Sequence, residues 1–178
     1  RRHSNIFSSK ANTLAYLRPL VEHSQIGDQV NFTISEWSLS RGDVLDSIID
    51  RFPDRQIIIR SSAIGEDSVE QTQAGVYRSI RDVESSSTKD VMRAVDSVID
   101  SYHEFDMEHQ VLVQEMLVGV IANGVAFSRH IDSAAPYYQI SYDLTVGRTD
   151  TVTSGVSSYE TIVVRRGSVD SIADLAEV

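Results

Sequence analysis

The sequence predicts a mixed α and β protein of one or two lobes, and three observations carry that reading. Val44, Leu45, Ile48, Ile49 and Phe52 recur at i, i+1, i+4, i+5 and i+8, the stripe of an amphipathic helix. Gln56-Ile57-Ile58-Ile59 is a continuous β-branched run, which reads as a buried strand. Beyond it the chain is rich in strand candidates: Val111–Val118, Ile121–Ser128, Tyr137–Tyr142 and Thr161–Val164, with Gly-Asn-type turn signals between some of them.

The remaining elements follow in order. Ser8-Ser9 ahead of Lys10-Ala11-Asn12-Thr13-Leu14 reads as a capped helix start. Pro19 should kink or end that helix, because proline lacks the donor and crowds the preceding turn. Val30, Phe32 and Ile34 alternate, so Val30–Ile34 is a short strand. Pro53-Asp54 closes the helix at 44–52, and the β-branched strand runs directly into Arg60-Ser61-Ser62-Ala63. The polar stretch from Gly65 to Gly75 is expected to be a mobile loop, and Val76–Val83 a strand. Ser87, with Asp90 three residues on, caps a helix whose stripe is Val91, Met92, Val95, Val98, Ile99 and Tyr102. A last helix is expected to begin at Ser168.

Composition sets limits on function. A chain of 178 residues fits one domain or two small lobes sharing a core. Its apolar fraction of 41% and charged fraction of 24% are ordinary for a globular protein. A formal net charge of -10 argues against nucleic acid as a partner, since that affinity comes from Lys and Arg neutralising phosphates. It leaves room for ATP, which needs only a few local cations. With no cysteine, disulfides, thiolate metal sites and thiol nucleophiles are excluded, and a reducing, cytoplasmic setting is compatible. The run Leu117–Phe127 is broken by Gly119, Asn123 and Gly124 and is far short of the about 20 residues a bilayer span takes, so no membrane partner is expected. Arg1-Arg2-His3-Ser4 lacks the apolar core of a signal peptide. A start without Met and a stop inside a helix lead us to expect a fragment of a longer protein.

Candidate chemistry gathers in a few segments. The strand Ile57-Ile58-Ile59 delivers Arg60, Ser61 and Ser62 to its end, where a guanidinium can grip phosphate oxygens in a fork and hydroxyls can add donors. Equally, Arg60 can pair with Glu66 or Asp67 and simply fix the loop. Ala74-Gly75 lets the backbone approach a ligand and form an anion nest, or is just a turn before Val76. Gln114 and Glu115 interrupt the apolar strand Val111-Leu112-Val113, so they face either a cleft or solvent. Adenine needs a backbone edge with apolar walls, and Met116 could supply one. Lys10 at a helix N-terminus opposes the helix dipole, a mismatch that a bound anion would relieve, though an exposed lysine needs no such explanation. The five histidines form no metal-ligand spacing. Neither Gly-x-Ser-x-Gly, nor Gly-x-x-x-x-Gly-Lys-Ser/Thr, nor Gly-x-Gly-x-x-Gly occurs, so any nucleotide is held by neither common phosphate loop.

Taken in order, Arg60-Ser61-Ser62-Ala63, Glu66-Asp67, Ala74-Gly75, Val113-Gln114-Glu115-Met116 and Gly124-Val125-Ala126-Phe127-Ser128-Arg129 resemble the N-terminal nucleotide-binding domain of phosphoenolpyruvate synthase, pyruvate phosphate dikinase and rifampin phosphotransferase. Ser9-Lys10-Ala11-Asn12-Thr13-Leu14 is similar to a shortened form of that family's Gly-Gly-Lys helix start, and the likeness runs from about Ser9 to Ser154. The resemblance implies an ATP-grasp-like α+β fold of two small lobes with mixed and antiparallel sheets, the C-terminal part of the fold missing. It implies an N-terminal lobe at 1–70, a phosphate-covering subdomain at 71–110, and a hinge strand with the start of the second lobe at 111–178. On the same basis Lys10 and Arg60, with Ser61, hold ATP phosphates. Gly75 and Ser79 belong to the phosphate-covering loop, and Gln114, Glu115 and Met116 read adenine.

Family members pass a phosphoryl group from ATP to a histidine on a separate domain and then to an acceptor. Those downstream domains are therefore the expected partners, and the chain alone is expected to be inactive, with no catalytic or metal-binding residue of its own. The resemblance implies that the family's magnesium ligands lie beyond Val178, and its glycine-rich Ser-His motif does not occur in this sequence. Two regions depart from the pattern: Gly147-Arg148-Thr149-Asp150 to Thr153-Ser154-Gly155 matches loosely, and Gln25–Phe52 lacks the usual proline-rich entry. The compact N-terminus is similar to that of synthase-like kinases of capsule phosphoramidate assembly, which phosphorylate the amide of glutamine. A module that kept the scaffold and lost its chemistry is the other expectation. A downstream acidic pair followed by a glycine-rich Ser-His segment would favour the enzyme.

Overall fold

The computed structural model describes residues 9–64, 78–102, 106–144, 147, 152 and 159–167. The chain divides into two compact units, Arg1–Met116 and Leu117–Val178. The first holds α1 (Lys10–Leu17), β1 (Gln29–Thr33), α2 (Ile34–Leu39), α3 (Arg41–Arg51), β2 (Gln56–Ser62), β3 (Ser79–Glu84), α4 (Thr88–Ile99) and β4 (Gln110–Glu115). The second holds β5 (Asn123–Phe127), β6 (Tyr137–Asp143) and β7 (Glu160–Arg165). β3, α4 and β4 are all within the first unit. No described helix is long and apolar enough to cross a membrane.

The sheet of the first unit runs β1-β4-β2-β3, and every neighbouring pair is antiparallel. β4 takes an inner place because its middle is apolar without interruption: Val111, Leu112 and Val113 are all fully buried. One face of this sheet packs on α3 and α4. Ile57 and Ile59 of β2, Val111 and Val113 of β4, Phe32 of β1 and Val83 of β3 meet Val44, Leu45 and Ile48 of α3 and Val91, Val95 and Val98 of α4. Each such side chain contributes roughly 1.5–3 kcal/mol on full burial. The helical stripes read from the sequence are the ones that land here.

Between β1 and α3 the chain makes a helix that alternation alone conceals. Ile34 continues the apolar alternation of β1, yet it opens α2, because Thr33 and Glu36 form a capping box. The Glu36 amide donates to Thr33 Oγ1 at 3.0 Å, and the Thr33 amide donates to Glu36 Oε2 at 2.7 Å. Trp37 of α2 is 2% exposed, and its indole N–H donates to Asp96 of α4 at 2.8 Å. Arg41 lies over the same indole, 4.8 Å from the ring centroid. Ser87 is the N-cap residue of α4 as expected, but its hydroxyl donates to Asp90 at 2.6 Å and makes no side-chain cap bond.

β3 is irregular. The Ile59–Ile80 and Ile57–Val83 pairs leave Arg81 and Asp82 on β3 against Ile58 alone on β2, and Asp82 has φ of 56°. This is a β-bulge with one residue in the left-handed region.

The second unit is a three-stranded antiparallel sheet, β5-β6-β7. Gly124 fits it because nothing larger can: a Cβ there would stand 2.5 Å from the Ser141 carbonyl oxygen and 3.1 Å from Tyr142 Cα. Gly124→Ala is expected to destabilise this unit by about 1–3 kcal/mol through overpacking against backbone. Urea unfolding followed through a probe in residues 117–178 checks it.

Candidate functional site

Directly opposed residues of an antiparallel ladder share a face, and the face alternates along each strand. The β2–β4 pairs Ile57–Glu115, Ile59–Val113 and Ser61–Val111 therefore look toward α3 and α4. The pairs Ile58–Gln114, Arg60–Leu112 and Ser62–Gln110 look the other way. β1 sets Gln29, Asn31 and Thr33 beside Gln114, Leu112 and Gln110, and β3 sets Ser79 beside Arg60. The first unit thus has one mainly apolar face and one on which amides, hydroxyls and a guanidinium stand around Ile58 and the buried Leu112.

α1 closes one end of the polar face, and it is tied there by hydrogen bonds more than by grease. Only Ala11 of the helix is buried. The N-cap hydroxyl of Ser9 accepts from Asn12 N–H at 3.2 Å and donates to Gln110 Oε1 at 2.7 Å. Ala11 N–H donates to the buried Ser62 Oγ at 2.9 Å, and Gln29 Nε2 donates to the Ala11 carbonyl at 3.0 Å. Lys10 stands between Ser9 and Ala11, so these bonds fix its backbone beside the Ser62–Gln110 row.

Arg60 is one row further in and partly buried. Among the described residues, ion pairs join Arg18 and Arg51 to Asp28, Arg41 to Asp96, Arg55 to Glu115 and Arg93 to Asp90, and none takes Arg60. Glu66 and Asp67, its alternative partners from the sequence, lie outside the described residues, as does Gly75.

At the far end, Met116 N–H donates to the Gln56 carbonyl at 2.8 Å, which carries the β2–β4 register one residue past Glu115. β1 has already ended there, with Gln29 opposite Gln114. By alternation Met116 falls on the polar face with Gln114. Four residues at about 3.4 Å each separate this end from the Arg60–Leu112 row, roughly 14 Å. The polar face thus joins cationic residues at one end to an amide and a thioether at the other.

Two residues expected in the site turn their side chains away from it. Ser61 is 3% exposed and faces the helices, its N–H donating to the Arg78 carbonyl at 3.3 Å. Glu115, in register with Ile57, has its carboxylate 3.5 Å from the Arg55 guanidinium, with both side chains exposed. Lys10, Arg60, Ser79, Gln114 and Met116 are the expected residues that the structure gathers on one face or at its end. Gln29 and Asn31 join them unforeseen. Their signal was present as the polar half of the β1 alternation, but only pairing with β4 tells which face that half shares.

Hollows elsewhere are separate. One of about 280 Å³ lies between β3 and α4, one of about 390 Å³ is lined by residues from Arg18 to Asp28, and one of about 240 Å³ surrounds Tyr142 in the second unit. None is lined by Arg60 or Gln114.

The family model described as pyruvate phosphate dikinase, AMP/ATP-binding domain, matches residues 9–174. No curated protein matches the chain. The family match begins at Ser9, the residue that docks α1, and takes in every row of the polar face. If Arg60 serves a ligand and not the fold, Arg60→Gln should change urea stability by less than about 1 kcal/mol. Its neighbour Ile59, fully buried, should cost about 2–5 kcal/mol as Ile59→Ala.

Proposed function

Because this chain belongs to the pyruvate phosphate dikinase AMP/ATP-binding domain family, we propose that the polar face of the β1-β4-β2-β3 sheet is where its ATP lies. The observation that carries the proposal is that Arg60 and Gln114 stand on one face, in neighbouring rows of a single ladder. Arg60 and Lys10 hold the phosphates from the α1 end. A planar guanidinium suits this role because it offers paired donors to phosphate oxygens and is never deprotonated. Ser79, opposite Arg60, and Gly75 ahead of it cover the phosphates. Gln114 and Met116 take the base, Met116 as an apolar wall and Gln114 as a hydrogen-bonding amide. Glu115 serves through its backbone, since its carboxylate is on the other face beside Arg55. Ser61 supports the strand end beneath Arg60 by its bond to the Arg78 carbonyl.

The wider activity follows from the same reading. The parent protein is an ATP-dependent phosphotransferase of the phosphoenolpyruvate synthase kind, working in the cytoplasm. A phosphoryl group passes from ATP to a histidine on a separate domain of the same protein and from there to an acceptor, for which an amide, as in glutamine kinase, is our candidate. Phosphoryl transfer asks mainly for positioning and charge neutralisation, and the cationic end of the sheet supplies part of both. Magnesium, which the family likeness implies, would neutralise phosphate charge. On the same likeness, its ligands are proposed outside the described residues.

Calorimetric titration of the full-length protein with ATP tests the assignment. Arg60→Ala is expected to weaken ATP by about tenfold to a hundredfold, the loss of charge-assisted bonds. Glu115→Gln should bind within about twofold of wild type, since a surface pair such as Arg55–Glu115 contributes little. Wild-type affinity in Arg60→Ala would end the proposal. Residues 1–178 expressed alone should bind ATP weakly and turn none over.

A further inference from the structure

The end of β2 that carries Arg60 is held by a side chain from outside the sheet. Tyr102, three residues after α4, is 9% exposed and reaches the last β2–β4 pair, Ser62–Gln110. Its hydroxyl accepts from the Ser62 amide at 3.0 Å and donates to the Gln110 carbonyl. One oxygen therefore grips both strands at the same rung. The ring is held in turn by stacking on His109, centroids 4.9 Å apart and planes at 28°, and His109 Nδ1 accepts from the Ile64 amide at 3.3 Å.

The same rung is where α1 docks. Ser62 Oγ takes the Ala11 amide and Gln110 Oε1 takes the Ser9 hydroxyl. Three elements, α1, β2 and β4, thus meet at two residues, and Tyr102 ties those two together. Lys10 lies between Ser9 and Ala11, and Arg60 lies two residues before Ser62. Whatever holds the Ser62–Gln110 rung sets the spacing between the two cations. Terminal rungs of a ladder fray first unless something else holds them; here the Tyr102 ring packs with Ile34 and Ala63 beside the rung, which sets its hydroxyl between the two strands.

We propose that Tyr102 is a positioning residue for the phosphate end of the nucleotide site: its hydroxyl clamps the Ser62–Gln110 rung and so fixes Lys10 relative to Arg60. The inference rests on the nucleotide reading of the polar face. It adds that phosphate recognition and base recognition are separately supported. The Gln114–Met116 end is held by its own pairing with Gln56 and Ile58 and owes nothing to Tyr102. Loss of the hydroxyl is then felt by the triphosphate and not by the base.

The test compares ATP with adenosine, each titrated into the full-length wild-type protein and into Tyr102→Phe. Hydrogen exchange at the Ser62 amide is measured in parallel. The expected result is an ATP affinity reduced by about tenfold, consistent with loosened charge-assisted bonds, with adenosine affinity and the unfolding midpoint close to wild type and faster exchange at Ser62. An unchanged ratio of ATP to adenosine affinity in Tyr102→Phe overturns the role of Tyr102, and so does an equal loss for both ligands. Failure of wild type to bind ATP overturns the nucleotide reading itself, and that is seen before any variant is compared. Should Tyr102→Phe not fold, Ser62→Ala, which removes the tie from the same rung to Ala11, is read by the same ratio, and an unchanged ratio there is equally fatal.

Discussion

The β2–β4 register is the constraint on which the rest depends. Because side chains alternate across a strand, slipping one strand by a single residue would send Arg60 into the core against α3 and α4 and bring Ile59 out. The apolar alternates of both strands forbid that slip. Ile57, Ile59, Val111 and Val113 are each fully buried on one face, so the hydrophobic term that folds the sheet also decides where the guanidinium goes. The hydrogen bond from Met116 to Gln56 shows the register persisting to the far end. Stability and placement of the polar face thus come from one set of contacts.

Much of the architecture is readable from residue patterns. The α3 and α4 stripes are strong 3.6-residue periodicities, and the β-branched Ile57–Ile59 run is an inner strand, as such runs are. Boundaries fared less well where two local rules compete. Val30, Phe32 and Ile34 read as one strand, but Thr33 and Glu36 close a capping box and turn Ile34 into the first residue of a helix. The strand expected at Val111–Val118 stops at Glu115: among the described residues its pairing on the β1 side ends at Gln29–Gln114, and the chain passes into the second unit after Met116. Both sheets are antiparallel throughout the described residues, in keeping with the α+β fold of mixed and antiparallel sheets expected.

The candidate site was legible as chemistry and illegible as geometry. Arg60, Lys10 and Gln114 stand out because each is a polar residue where local patterns favour apolar or acidic ones. Nothing in a single strand tells which of two adjacent polar residues shares a face with an arginine on another strand. That is why Gln114 and Glu115 looked alike in sequence and differ in space, and why Gln29 and Asn31 went unnoticed. Membership of the AMP/ATP-binding domain family explains the order of the motifs. The ladder explains how motifs more than 50 residues apart come to lie side by side.

The bulge on β3 has a bearing on solubility. Among the described residues β3 is the outermost strand on its side of the sheet, and an outer strand with a straight, regular backbone is a template on which a second chain can add. Here the regular stretch is broken after the Ile59–Ile80 pair, the backbone takes a left-handed step at Asp82, and Arg81, Asp82 and Glu84 put charge of both signs along the strand. A strand arriving from another molecule would find neither a continuous row of donors and acceptors nor an apolar margin to settle on. The β3 rim is therefore a poor template for edge-to-edge growth.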